Sequence, residues 1–320
     1  MPGVPLPNRH QQGGVQLADG LQTSNGNHGA APSGETWFVE SASPHHRLSW
    51  KVRRTLYAGQ SRYQRIQVLD TEQFGTALVL DGIMQTTVGD EYIYHEMLAL
   101  VPLLSHPHPT KVLIIGGGDA GLAREVLRVP GVTEVVMVEI DPAVVEVARK
   151  FLPGHTVGLS DPRLTLEYGD GVEYLKQLPR DVRFDVILVD ATDPEGDGPG
   201  EVLYTPDFHR LVREALNPGG LYAQQTGTPI YNPEVVQRVA ADVDQQFLVC
   251  RVYWCTVPTY PGSLFTFTIG SLGPDPKVPV RQLPPEAATR WYTPRVHAAA
   301  FALPPMLANL LPPRVAAAQQ

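Results

Sequence analysis

"VLIIGGGDAGLAREV", residues 112–126, passes from an unbroken apolar run through a cluster of glycines into residues with the apolar spacing of a helix. A continuous apolar strand is one buried on both faces, as in a parallel sheet covered by helices. In the turn, Gly116, Gly118 and Gly121 fit G-x-G-x-x-G, which lets the backbone bend sharply and approach a ligand closely. That pattern alone is unspecific, so the segments that follow decide. "EVVMVEI", "LTLEYGD" and "FDVILVD" predict strands, with "PAVVEVARKFL" and "GVEYLKQL" as helices between them. "TPDFHRLVREALNPGGLYAQQT" adds a helix and a strand with "NPGG" as the helix stop, and residues 233–271 add a helix and a hairpin-like pair. The expected fold is α/β: a Rossmann-like, methyltransferase-type, mostly parallel sheet with helices on both faces.

Upstream the period changes. "TWFVE", "HRLSWKVRRTLYAG", "YQRIQVLDT" and "FGTALVLDGIMQTT" are short β-rich runs separated by polar turns, so residues 36–90 should form a small N-terminal antiparallel β-hairpin domain. "DEYIYHEMLALVPLLS" then reads as a helix opening the larger domain, residues 91–310. Residues 1–35, rich in Gly, Pro, Asn, Gln and Ser, read as a disordered tail, and residues 311–320 as a C-terminal tail. With 320 residues and 43% hydrophobic content the chain can bury a substantial core, and a net charge of -8 disfavours nucleic acid and anionic membranes as partners. Neither a secretory apolar core nor a membrane-length apolar run occurs, so the expected location is cytoplasmic. Cys250 and Cys255 are five residues apart on one strand and should face opposite ways, which favours neither a disulfide nor a metal site. His106 and His108 in "SHPHP" read as a proline-locked surface loop rather than metal ligands.

The strand ends carry the chemistry. Glu139 closes the second strand, 18 residues after Gly121, where a carboxylate can accept hydrogen bonds from both ribose hydroxyls of an adenosine. Asp170 and Gly171 end the third strand beside the same crevice and suit an adenine amino group. Asp119, inside the glycine turn, would repel the pyrophosphate of a dinucleotide or the carboxylate of S-adenosylmethionine. It suits an amine. Adenosine joined to an amine without a carboxylate is decarboxylated S-adenosylmethionine. A helix N-cap is the plain alternative for Asp119, and both roles can coexist.

"GIMQTT", "DEYIYHEML", "VLIIGGGDAGLAREV", "VEIDPAVVEVARKFLP", "YGDGVEYL", "DVILVDATDP" and "TVPTYPG", in this order and spacing, resemble the spermidine synthases and related polyamine aminopropyltransferases. The resemblance runs from about Trp37 to about Pro304. It implies that Gln64 contacts the nucleoside, Glu139 the ribose, Asp170 with Gly171 the adenine, and Asp119 the donor amine, while Pro199 packs on the adenine. Asp190 matches the catalytic acid. The chemistry needs one, because an amine with a pKa of about 10.4 is protonated at neutral pH and cannot attack carbon until a base takes its proton. By the same resemblance Asp193 holds an ammonium, Tyr94 and Tyr260 flank the acceptor, His95 contacts donor or polyamine, and Gln225 lies near the acceptor. A polar turn is the alternative for Asp190 and Asp193, and a core aromatic for each tyrosine.

Two departures stand out. Family members commonly carry Glu where this chain has Gly227, which weakens the case for a short diamine, and Gly where it has Ala120. The loop "EGDGPG" around Pro199 is also longer. The expected function is aminopropyl transfer from decarboxylated S-adenosylmethionine, a co-substrate rather than a cofactor, to an amine. Putrescine leads, with spermidine or agmatine next. No metal is expected, and the resemblance implies a homodimer or homotetramer. An amine N-methyltransferase and a non-catalytic polyamine-binding homologue are the competing classes, and Asp119 and Asp190 respectively argue against them.

Overall fold

Short β-rich runs upstream and unbroken apolar runs downstream pair into two separate sheets in the computed structural model, which describes residues 21–23, 34–194 and 200–319. The first sheet is an antiparallel meander in chain order: β1 (Leu21–Thr23), β2 (Thr36–Ser43), β3 (His46–Gln60), β4 (Arg65–Thr71), β5 (Gly75–Leu80) and β6 (Ile83–Thr87). β1 lies inside the stretch expected as a disordered tail, so that expectation fails for Leu21–Thr23; the rest of residues 1–33 lies outside the described residues.

The second sheet follows from the alternation of strands and helices: α1 (Glu91–Ser105), β7 (Lys111–Gly116), α2 (Gly121–Leu127), β8 (Glu134–Glu139), α3 (Pro142–Phe151), β9 (Leu164–Tyr168), α4 (Gly171–Gln177), β10 (Phe184–Asp190), α5 (Pro206–Glu214), β11 (Leu216–Gly227), α6 (Pro233–Gln246), β12 (Val249–Thr256), β13 (Leu264–Ser271), α7 (Pro294–Ala300), α8 (Pro305–Ala308) and α9 (Pro313–Gln319). Its order is β12-β13-β11-β10-β7-β8-β9, and only β13 among the described strands runs against its neighbours. This is the expected Rossmann-like sheet. Alternate residues of β7 feed two cores: Val112 and Ile114 pack with α1 and α2, Leu113 and Ile115 with α5 and α6. Cys250 and Cys255 fall into these opposite cores, as the five-residue spacing requires.

β4 has apolar residues on both faces. Leu69 packs within the first sheet, whereas Ile66 and Val68 pack with Leu78 and Leu80 against Val144, Val147 and Leu152 on and just after α3. The small sheet is thereby seated by α3 over the strand ends, next to the point between β7 and β10 where the strand order reverses and α/β folds bind ligands.

Three further expectations change. Of the expected C-terminal tail, residues 311–320, the described part to residue 319 is not a tail: α9 starts with proline at its first turn, buries Val315, and is tied by Arg314 to Asp244 (3.1 Å) and to the Leu248 carbonyl (2.8 Å). "NPGG" follows the helix end but is a bulge within β11, where pairing with β10 slips and Gly219 takes φ +81°. His106 is buried, its burial lowers the imidazole pKa, and its Nδ1 accepts the His108 N–H, whereas His108 is exposed. No described helix is long and apolar enough to cross a membrane.

The tightest junction is between β7 and β10. Gly116 has φ +82°, the Gly117 N–H donates to the Asp190 carbonyl at 2.7 Å, and a Cβ on Gly116 would lie 2.2 Å from that carbonyl oxygen. Gly116→Ala therefore costs about 3 kcal/mol or more through left-handed strain and backbone displacement. The urea midpoint should fall accordingly; an unchanged midpoint contradicts this packing.

Candidate active site

A cavity of about 280 Å³ opens at the C-terminal ends of β7, β8, β9 and β10 beneath the small sheet. Of the residues singled out in the sequence, Gln64, Tyr94, His95, Gly116, Gly118, Asp119, Glu139, Asp170, Gly171, Asp190, Asp193, Gln225 and Tyr260 all line it. Pro199 lies outside the described residues.

At the glycine-turn end, clearance is bought by missing side chains. A Cβ on Gly118 would lie 3.0 Å from Glu139 Oε2, and one on Gly171 would lie 2.4 Å from Ile115 Cγ2. Glu139 is buried and accepts the Asp141 N–H through Oε1 at 2.8 Å. Burial pushes its carboxyl up to about 7, and that hydrogen bond recovers only part of the lost solvation. Asp141 in turn caps α3 and accepts from Ser61 Oγ (2.6 Å) and Gln64 Nε2 (2.9 Å), which fixes Gln64 above the strand ends. Asp170 caps α4 through the Val172 and Glu173 N–H groups. Asp119 does not fill the N-cap of α2, which is Ala120; it stands one residue earlier, where its Oδ1 accepts the Gly121 N–H at 2.8 Å while its side chain lines the cavity. Ala120 beside it is buried at φ +65°, a conformation that favours glycine, so the departure noted in the sequence carries backbone strain of about 1 kcal/mol.

At the centre lie charges. Asp190 is at the end of β10, opposite Gly116, and its Oδ1 accepts the Tyr94 hydroxyl at 2.7 Å. Burial pushes its carboxyl up to about 6; the His95 charge and the Tyr94 hydroxyl lower it and Asp119 raises it. His95 Nδ1 meets Glu91 Oε2 at 2.6 Å, and Nε2 lies 3.6 Å from Asp119 Oδ1. Burial opposes charge on this ring, yet Asp119 and Glu91 outweigh it and hold the imidazole at about 9, so it is an imidazolium at neutral pH. Atoms of His95, Asp119 and Asp190 lie within 4.8 Å of one another, a spacing open to a metal ion. A protonated imidazole does not ligate metal, and two carboxylates facing one imidazolium leave a net negative pocket suited to an organic cation.

Beyond Asp190 the cavity turns aromatic. Tyr94 stands edge-on to Tyr260 (6.0 Å between ring centres) and Phe265 (5.6 Å), and the Tyr260 hydroxyl donates to the Gln85 carbonyl at 2.6 Å. The Gln225 amide donates to Asp193 Oδ1 and the Ala191 carbonyl, each at 2.8 Å, and is 2.6 Å from the Tyr204 hydroxyl. Gly227, at φ +71° on a bulge, lies against Asp193, where a Cβ would make van der Waals contact with Oδ1 at 3.4 Å.

Several lining residues were not singled out: Glu40, Ser41 and Ala42 from β2, Met84 and Gln85 from β6, and Thr228, Tyr231 and Asn232 after β11. Met84 and Gln85 fall within the quoted "GIMQTT" without having been assigned a role; the others arrive by long-range pairing, and no local pattern marks them. Asp141 could have been found from the "DP" helix start, and Glu91 from its i, i+4 spacing to His95.

Comparison with known proteins shows the family. Residues 91–279 match the family model for the spermine/spermidine synthase domain, and residues 36–88 that for the spermidine synthase tetramerisation domain. The polyamine aminopropyltransferase of Moorella thermoacetica is 45% identical over 276 residues, 86% of this chain and 96% of that protein. Polyamine aminopropyltransferase 1 of Bacillus cereus is 40% identical over 277 residues, 87% of this chain and 99% of that protein. A crystal structure of a spermidine synthase in complex with the transition-state analogue AdoDATO matches with a TM-score of 0.80 at 37% identity, covering 86% of this chain and 94% of that one. The spermidine synthase from Thermotoga maritima matches with a TM-score of 0.77 at 35% identity, covering 86% and 93%. With family models matching residues 36–88 and 91–279 and relatives 40–45% identical along most of its length, the chain belongs to the spermine/spermidine synthase family of polyamine aminopropyltransferases.

Proposed function

We propose that the protein transfers the aminopropyl group of decarboxylated S-adenosylmethionine to a primary amine, putrescine first, giving spermidine and methylthioadenosine. The observation that carries this reading is Asp190, held by Tyr94 at 2.7 Å and set beside Asp119 in one enclosed anionic pocket. Glu139 receives the ribose hydroxyls, Asp170 and Gly171 the adenine edge with Gln64 above, and Gly116 and Gly118 leave room for the donor to lie close. Pro199 remains the expected adenine contact from the loop. Asp119 takes the donor ammonium. His95 is itself cationic, so it orients Asp119 rather than contacting an ammonium directly.

The acceptor lies along Tyr94 and Tyr260, with Gln225 and Asp193 toward its distal ammonium. Its nitrogen lone pair attacks the methylene carbon bonded to the sulfonium. The carbon–sulfur bond breaks, its electron pair stays on sulfur, and methylthioadenosine leaves neutral. The acceptor arrives as an ammonium, so the Asp190 carboxylate takes its proton to free that lone pair before the attack, and the product nitrogen leaves as a secondary ammonium; a pKa near neutrality suits Asp190 to take and release a proton at each turnover. Holding both partners in line supplies much of the remaining rate enhancement. The match of residues 36–88 to a tetramerisation domain supports a homotetramer.

One observation favours a longer acceptor, spermidine or agmatine. Gly227 brings no side chain beside Asp193, and Thr228, Tyr231 and Glu40 also line the cavity. A panel of putrescine, spermidine and agmatine with decarboxylated S-adenosylmethionine decides: highest kcat/KM on putrescine supports the first reading, and highest on spermidine or agmatine the second. Transfer of methyl from intact S-adenosylmethionine, or no transfer at all, overturns both.

Because Asp190 works only when ionised, kcat/KM should fall an additional tenfold per pH unit below about 6. Asp190→Asn should lose roughly 10²–10⁴ in kcat and lack this acid limb, while still binding methylthioadenosine; an unchanged acid limb in that variant removes Asp190 from the proton transfer. For Glu139 the folded-state pKa of about 7 exceeds the ordinary carboxylate value, so its contribution to stability is full at acid pH and lost as pH rises through 7. Glu139→Gln should therefore raise Tm by about 2–4 °C at pH 8, raise it little at pH 5, and weaken nucleoside binding at least about tenfold. Thermal scans at the two pH values with a methylthioadenosine titration read this directly.

A further inference from the structure

His95 does not stand alone behind the reacting centre. Glu91, one helical turn earlier on α1, is buried, and its Oε2 meets both His95 Nδ1 (2.6 Å) and Arg124 Nη2 (2.8 Å). Arg124, on α2, continues through Nε to Glu125 Oε1 at 2.8 Å, and Glu125 is itself buried and paired with Arg128. An unbroken chain of opposite charges thus runs from the cavity along the α1–α2 seam to the molecular surface.

Burying a charge is expensive unless it is paired and hydrogen-bonded, and removing one partner leaves the other uncompensated. Glu91 is the only carboxylate among the described residues that bonds the inner nitrogen of His95. It compels that nitrogen to be the donor and turns Nε2 toward Asp119. The ring has no room to rotate away, since it fills the space above Gly121, where a Cβ would lie 2.3 Å from it. The other groups facing His95 do not substitute for Glu91. His155, 5.9 Å away between ring centres, is kept neutral by burial and bonds Thr86 Oγ1 at 3.2 Å. Asp119 and Asp190 lie on the cavity side, Tyr94 is bonded to Asp190, and Arg124 carries the same sign as the imidazolium.

We propose that Glu91, braced by Arg124, is a positioning residue for the transfer reaction: it fixes His95 as an imidazolium aimed at Asp119, and that charge lets Asp119 and Asp190 both be carboxylates in one small pocket. The inference rests on the proposed role of Asp190 as proton acceptor. Without the imidazolium, two carboxylates in an enclosed site repel, and one of them holds its proton to higher pH. Glu91 would thereby set the pH range in which the enzyme works without touching either substrate.

The test uses the full-length enzyme and its Glu91→Gln, His95→Gln and double variants, each measured for the pH profile of kcat/KM. Wild type and Glu91→Gln are also labelled with ¹³C-histidine, the His95 signal being the one missing in His95→Gln. Glu91→Gln should lower the His95 titration midpoint by about one pH unit or more and raise the acid limb of kcat/KM by about half a unit or more. His95→Gln should raise the limb likewise, and the double variant should match His95→Gln alone. An acid limb left in its wild-type position in Glu91→Gln overturns the proposal, as does a further rise in the double variant. If Glu91→Gln does not fold, an unmoved limb in His95→Gln overturns it equally. A wild-type limb that persists in Asp190→Asn instead refutes the proton-acceptor role, while the His95 titration still reports whether Glu91 holds the ring charged.

Discussion

A single backbone hydrogen bond, from the Gly117 N–H to the Asp190 carbonyl at 2.7 Å, joins the glycine turn to the end of β10. Through it the two chemical halves of the site share one register. The residue that would take the proton cannot drift from the turn that would hold the donor, because Asp190 pairs with Gly116 in the sheet. The glycines at 116 and 117 are demanded by this contact, both having positive φ. Cores on both faces of β7 and β10 then make the junction rigid, and positioning within fractions of an ångström is what a displacement between two bound molecules needs.

The same enclosure makes the site electrostatically costly. Asp190 and Glu139 are carboxyls whose ionisation is opposed by burial, and both line a cavity that is to receive cations. Such groups destabilise the empty protein at neutral pH and are relieved when a cationic ligand arrives, a trade of stability for function common at active sites. His95 and its Glu91–Arg124 brace offset part of the repulsion in advance. Tyr94 contributes without charge, since its hydroxyl is held far from ionisation by burial and donates to Asp190.

Much of this was legible in the sequence, for identifiable reasons. Parallel strands buried on both faces leave unbroken apolar runs, and functional groups at their ends fall immediately after those runs, so Asp119, Glu139, Asp170 and Asp190 could be located by position alone. Gly227 and Ala120 were visible as departures, and the structure adds that both sit at positive φ, one beside Asp193 and one in the turn. What was hidden depends on long-range pairing. The wall formed by Glu40, Ser41 and Gln85 exists because Ile66 and Val68 seat the small sheet on α3, and Leu21–Thr23 is a strand only because β2 offers its edge. α9 went unseen because one buried Val and two tethers from Arg314 hold it, too few apolar residues to register as a pattern.

The central claim is that Asp190 is a cavity-lining carboxyl, desolvated enough to exchange a proton near neutral pH. pH-difference infrared spectroscopy of the ligand-free enzyme, with the Asp190→Asn variant subtracted, measures that ionisation without turnover. The account predicts a carboxylic-acid signal, absent in the variant, that disappears with a midpoint near pH 6. A carboxyl already ionised at about pH 4, the ordinary aspartate value, would contradict it.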